Sequence, residues 1–150
     1  MKILPEYNWL PWQFSITPKG YWSDISNQKT YMNWLFNKLN YKTIEDWYNV
    51  TGQDIIGNHG GGLLEKYKGS PIKLLSSVFP EYNWLPWKFH SIPKGFWEKD
   101  GNQMVYMKWL EDKLNVKSEE DWYNVSVDVI NKFLCFFVLK LTNELASFAI

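Results

Sequence analysis

The sequence predicts an all-α protein built from a tandem repeat, and three observations predict it. The string PEYNWLPWQF at Pro5 to Phe14 returns as PEYNWLPWKF at Pro80 to Phe89, an offset of 75 residues. Between these strings, Tyr31, Trp34, Leu35 and Leu39 recur at the spacing of one helix face. No segment shows the period-2 alternation of a half-buried strand.

The offset holds beyond the opening string. Pro18-Lys19-Gly20 returns as Pro93-Lys94-Gly95, Tyr31-Met32 as Tyr106-Met107, and EDWYNV at Glu45 to Val50 as Glu120 to Val125. From Pro5 to Val50, 29 of 46 aligned positions are identical without a gap. All ten Trp obey the register: Trp9, Trp12, Trp22, Trp34 and Trp47 pair with Trp84, Trp87, Trp97, Trp109 and Trp122. The chain divides into a first partial copy (1–50), a central helix-turn-helix-like part (51–79), an incomplete second copy (80–131) and an atypical apolar tail (132–150). It reads as a stretch of a longer array. The tail reads either as a capping helix, since terminal repeats are often atypical, or as translated AT-rich non-coding sequence.

Each element has a local cause. Pro5 to Trp22 holds three Pro and no sustained period, so an extended, Trp-pinned connector is expected. Ser26 to Asn40 is a helix, with Asn40 suited to the left-handed residue that closes it. Thr43 and Ser118 are N-caps followed by first-turn acids, which the helix dipole favours. Thr51 caps a short helix, Gln53 to Asn58, which the run Gly60-Gly61-Gly62 is expected to stop. Leu63 to Lys68 follows, and Ser70-Pro71 opens Ile72 to Val78 as an N-cap with Pro in the first helical position.

Composition narrows the function. The chain is 19% aromatic, which is incompatible with a disordered polymer. A single cysteine, Cys135, excludes an internal disulfide framework and a multi-Cys zinc site. With only His59 and His90 besides, no metal or other cofactor is expected. The opening residues lack the apolar stretch of a secretory signal. The longest apolar run, Phe133 to Leu139, is about a third of the roughly 20 residues that span a bilayer. A soluble intracellular protein of nucleus or cytoplasm, without membrane contact, is expected.

Catalytic strings fail on inspection. His59-Gly60-Gly61-Gly62 matches an esterase oxyanion-hole motif, but no G-x-S-x-G nucleophile elbow accompanies it. The sequons Asn49-Val50-Thr51 and Asn124-Val125-Ser126 are read as helix caps, and Glu45-Asp46 and Glu119-Glu120-Asp121 as dipole partners rather than catalytic pairs. Cys135 reads as a buried inert thiol. The chain is expected to bind rather than catalyse.

Two resemblances bear on what it binds. Tyr67-Lys68-Gly69-Ser70-Pro71-Ile72-Lys73-Leu74-Leu75 resembles an element of homing-endonuclease-associated repeats, which implies a small helical DNA-binding unit; Leu74 stands where that family prefers Ala. The whole 75-residue period, with PEYNWLPWKF and EDWYNV, resembles Trp-rich tandem-repeat proteins of fungi and other eukaryotes, which adds no activity.

Charge is neutral overall, with 16 Lys, no Arg and 16 acids, yet unevenly spread. Gly60 to Trp97 holds five Lys and two acids, a local +3, whereas Glu98 to Asn131 holds four Lys and eight acids, a local −4. Weak nucleic-acid binding is therefore the first expectation, with Lys66, Lys68 and Lys73 on phosphates and Ser70 and the adjacent helix start as neutral donors. A protein–protein scaffold is the alternative, and a carbohydrate or small-ligand site on exposed Trp a further one. Trp12 and Trp87 are the candidates for such aromatic contact.

Overall fold

The computed structural model describes residues 8–133, so Cys135 and most of the apolar tail lie outside the described residues. The described residues contain α-helices and short 3₁₀ turns, and no strand among them. The fold is all-α. Two compact units are present, one running to Ser91 and one from Ile92.

In the first unit the connector is pinned by two 3₁₀ turns, Pro11–Gln13 and Tyr21–Ser23. Helix α1 (Ile25–Lys38) starts on Asp24, whose carboxylate accepts from the Ser26 amide at 2.8 Å. It closes through Leu39, and Asn40 takes the left-handed conformation (φ 57°) the sequence suggests. Next comes the 3₁₀ turn Ile44–Asn49, which carries Trp47 and Tyr48. Helix α2 (Gly52–Gly57) is capped by Thr51 Oγ1, which accepts from the Asp54 amide at 3.1 Å. Helices α3 (Gly61–Lys66) and α4 (Pro71–Val78) complete the unit's α-helices.

The glycine run corrects the sequence reading. Helix α2 already ends at Gly57, with Asn58 as cap and His59 left-handed at φ 66°. Gly60 is instead the N-cap of α3, and Gly61 and Gly62 lie in its first turn. What demands glycine at position 60 is crowding. A Cβ there would sit 2.2 Å from Tyr31 Oη and 2.7 Å from the Ile55 side chain. Tyr31 is fully buried, and its hydroxyl lies 3.1 Å from both the Ile55 and Asn58 carbonyls, so it ties α1 to the end of α2.

Apolar residues from every element meet in one core that includes Trp12, Tyr31, Met32, Leu35, Trp47, Ile55, Leu63, Leu75 and Val78. Helix α1 packs on α4 and on the Tyr21–Ser23 turn, while α2 packs on α3. Trp12 meets Tyr31 edge-on at 5.4 Å, the arrangement aromatic quadrupoles favour, and lies tilted against Trp34 at 5.6 Å. Gln28 is the buried polar side chain of this core, and its Nε2 donates to the Trp22 carbonyl at 2.7 Å.

The second unit repeats these local devices. Helix α5 (Asp100–Leu114) closes at left-handed Asn115 (φ 54°). Asn102 donates to the Phe96 carbonyl, as Asn27 donates to that of Tyr21, and Gln103 to that of Trp97, as Gln28 to that of Trp22. Trp97 meets Tyr106 edge-on at 5.3 Å, the separation of Trp22 and Tyr31. Helix α6 (Glu119–Trp122) follows, and Ser126 Oγ accepts from the Val129 amide at 3.3 Å to cap α7 (Val127–Phe133). The residues after both Asn-Val strings therefore cap helices. Trp34 and Trp109 are half-buried rather than core, because Tyr31 with Leu35, and Tyr106 with Leu110, take the interior positions of their helices. No described helix is long and apolar enough to cross a membrane.

Candidate functional site

The lysines singled out by the sequence flank the turn between α3 and α4. Lys66 ends α3, Lys68 follows in the left-handed conformation (φ 55°), and Lys73 lies in the first turn of α4. All three are exposed. None is ion-paired, for the one ion pair among the described residues joins Lys88 to Glu45 at 3.0 Å. Tyr67 fixes the corner from within: its hydroxyl donates to Gln28 Oε1 at 2.7 Å and lies 3.0 Å from Ser77 Oγ. Beside it, Lys68 lines a shallow, mostly apolar groove of about 390 Å³ with Ile56, Leu64 and Glu65.

Ser70 is largely committed to the fold. Its hydroxyl oxygen accepts from the Lys73 amide at 3.4 Å, and its own amide donates to the Tyr67 carbonyl at 3.1 Å. Pro71 has no N–H, and the Leu74 amide is spent on the Ser70 carbonyl. Ile72 keeps the remaining amide of that turn, on a residue 8% exposed. An anion at this corner is therefore met mainly by ammonium groups.

The aromatic candidates do not face solvent. Trp12 and Trp87 are 1% and 6% exposed, since each Pro-Trp pair opens a 3₁₀ turn that carries the indole inward. Neither offers a stacking face to a ligand. Trp9 is 51% exposed and stacks on Phe14 at 5.9 Å.

Within the acidic strings, Asp46 and Asp121 complete capping boxes with Thr43 and Ser118. Backbone amides of Thr43 and Lys42 donate to Asp46 at 2.8 and 2.6 Å and hold its carboxyl below the usual carboxylate range. Lys117 and Ser118 do the same for Asp121 at 2.8 and 3.0 Å. No group of three His, Cys, Asp or Glu among the described residues is placed to hold a metal ion.

One contact region was not legible in the sequence. The string Pro80 to Phe89 folds back on the EDWYNV segment of the first copy. Phe89 and Trp84 meet the Tyr48 ring edge-on at 4.8 and 5.6 Å. The Tyr48 hydroxyl accepts from the Leu85 amide at 3.1 Å, and the Tyr48 carbonyl from the His90 amide at 3.2 Å. Lys88 pairs with Glu45 and lies 5.1 Å from the centre of the Tyr48 ring, a cation–π contact. No protein-family model, curated protein or solved structure matches the chain.

Proposed function

We propose that this chain is a non-enzymatic tandem-repeat binding module whose helix-turn-helix-like α2–α4 segment contacts nucleic acid through Lys66, Lys68 and Lys73. The observation that carries the reading is their shared placement: three exposed ammonium groups, free of ion pairs, around one rigid corner. Phosphate backbones are recognised by such charges without regard to sequence. Absence of Arg removes the usual bidentate reader of guanine, so binding through this corner is weak and non-specific.

A mobility-shift titration with duplex DNA and with RNA at about 50 mM salt tests this. The parent should bind, and replacing all three lysines with Gln should abolish most of the shift. On duplex DNA the slope of log K against log salt should flatten by about 2.7, at about 0.9 per lost phosphate contact. Replacing the exposed Lys108, Lys113 and Lys117, which lie in the acidic stretch, should change little. If the parent does not bind, or the two triple variants bind alike, the reading fails.

A second reading, a protein–protein scaffold, is favoured by the folding of the second PEYNW string onto the first EDWYNV segment. There the repeat sequence itself serves as a docking element.

A further inference from the structure

Helices α1 and α5 stand at the same place in the two copies, and their differences are not scattered. Over the 16 aligned positions that begin at Ile25 and Asp100, nine residues are identical and seven differ. In α5 the differences fall at 100, 101, 104, 105, 108, 111 and 112, the spacing of one helix face. All seven are exposed except Glu111, which is half-buried. The matching positions of α1 show the same pattern in the first unit, so this exposure belongs to the module rather than to its place in the chain.

The replacements turn a polar face into an apolar one bracketed by charge. Where α1 has Lys29 and Thr30, α5 has Met104 and Val105, which are 63% and 58% exposed. Asp100 lies one turn before Met104 and Lys108 one turn after it; both are exposed, and neither is ion-paired among the described residues. Gly101 replaces Ser26 in the first turn of the helix, where glycine carries a conformational cost. Its surroundings do not require it. Its φ is not positive, and a Cβ there would meet nothing within 4 Å. What such a glycine permits is the close approach of another backbone.

We infer that two copies of this chain associate through α5, the helices packing antiparallel about a two-fold axis near Met104. Charge complementarity selects a second copy as the occupant. Antiparallel packing about Met104 sets Lys108 of each copy opposite Asp100 of the other, about 6 Å along the axis from the centre at about 1.5 Å per residue. Parallel packing would set like charges side by side, which is costly. The face is thus self-complementary, as a two-fold interface requires. Glu111 and Asp112 fall beyond the start of the opposing helix. One helix pair buries less than the roughly 1,200–2,000 Å² of stable complexes, so the dimer is weak and concentration-dependent. The inference goes beyond both functional readings and rests on neither.

Sedimentation velocity on the full chain from about 10 µM to about 1 mM tests it, in about 0.15 M salt, where repulsion between the acidic stretches is screened within about 8 Å. The parent should pass from monomer to dimer and grow no further. Replacing Met104 with Lys and Val105 with Thr gives α5 the residues α1 carries, so the melting temperature should hold while the chain stays monomeric. Gly101→Leu should raise the melting temperature, as removal of a helical glycine does, yet weaken association about ten-fold or more. The charges supply the decisive sample. Lys108→Glu sets acids against Asp100, and Asp100→Lys sets ammonium groups against Lys108; each should weaken association about ten-fold. Mixed, the two variants regain both opposite-charge pairs and should form a 1:1 heterodimer. A parent that stays monomeric to about 1 mM overturns the inference, as does association that the Met104 and Val105 replacements or Gly101→Leu leave intact. A mixture that associates no more tightly than its components overturns it too. None of these results decides the mobility-shift outcome, so the inference and the nucleic-acid reading fail separately.

Discussion

The two leaders share eight of their first nine positions after Pro5 and Pro80, yet their rings end in different surroundings. Trp84 and Phe89 are buried at 9% and 2%, whereas Trp9 and Phe14 are about half exposed. Burial here is set by what the leader meets, while the local conformation is set by its own residues. Both leaders form the same Pro-Trp 3₁₀ turn, and both indoles that follow Pro turn inward. The difference separates what a sequence dictates locally from what a neighbour adds.

The widest separation should come from the phenylalanines. Phe89→Ala removes a ring packed on Tyr48 and Trp84 and should cost about 3–5 kcal/mol. Phe14→Ala should stay within about 0.5 kcal/mol, as an exposed substitution does. Urea unfolding of dilute protein measures both, and similar losses would show that the leaders are equivalent after all. Next in size, Tyr48→Phe removes the acceptor of the Leu85 amide and should cost about 1 kcal/mol, against no measurable cost for Tyr123→Phe.

A smaller effect is expected at the ion pair. Lys88→Gln gives the second leader the residue of the first and should cost about 0.2–1 kcal/mol, less as salt is added, because both partners are substantially exposed. The smallest contrast is a predicted equality. Asp46 and Asp121 both have carboxyl pKa values lowered by backbone amides. A lowered folded value means that their contribution is present above the unfolded carboxylate range, near 4, and is lost as pH falls through the folded value. NMR titration of the two carboxyls should give matching curves, both displaced downward. Unequal displacement would show that the neighbourhood reaches even the caps.

Much of the fold was legible because its causes are local. Asn40, Thr51, Ser70 and Ser126 each act within one turn of chain, and the structure places each where its chemistry suggests. The glycine run was misread because its cause is tertiary. Nothing in His59-Gly60-Gly61-Gly62 reveals that Tyr31, 29 positions before Gly60, approaches its Cα. Trp12 and Trp87 were misjudged as contact residues: both are buried, and Trp12 packs on Tyr31 and Trp34 of the helix that follows. At the α3–α4 corner the sequence supplied the lysines, but not the internal bonds that commit Ser70 and Tyr67. The Tyr48 contact was hidden because two near-identical strings cannot announce which of them folds onto Tyr48.

The boundary of the first compact unit at Ser91 falls 12 residues beyond Phe79, where the first sequence period ends. The sequence period and the compact units thus divide the same chain in different phase. An in-frame duplication of any 75 consecutive residues within the periodic region preserves the register between each EDWYNV string and the leader 30 residues after it. New copies can enter by unequal recombination without a matching change elsewhere, since every inserted period brings a cover for the period before it. Termination at Phe79, by contrast, would follow the duplication boundary faithfully and leave the Tyr48 surface bare.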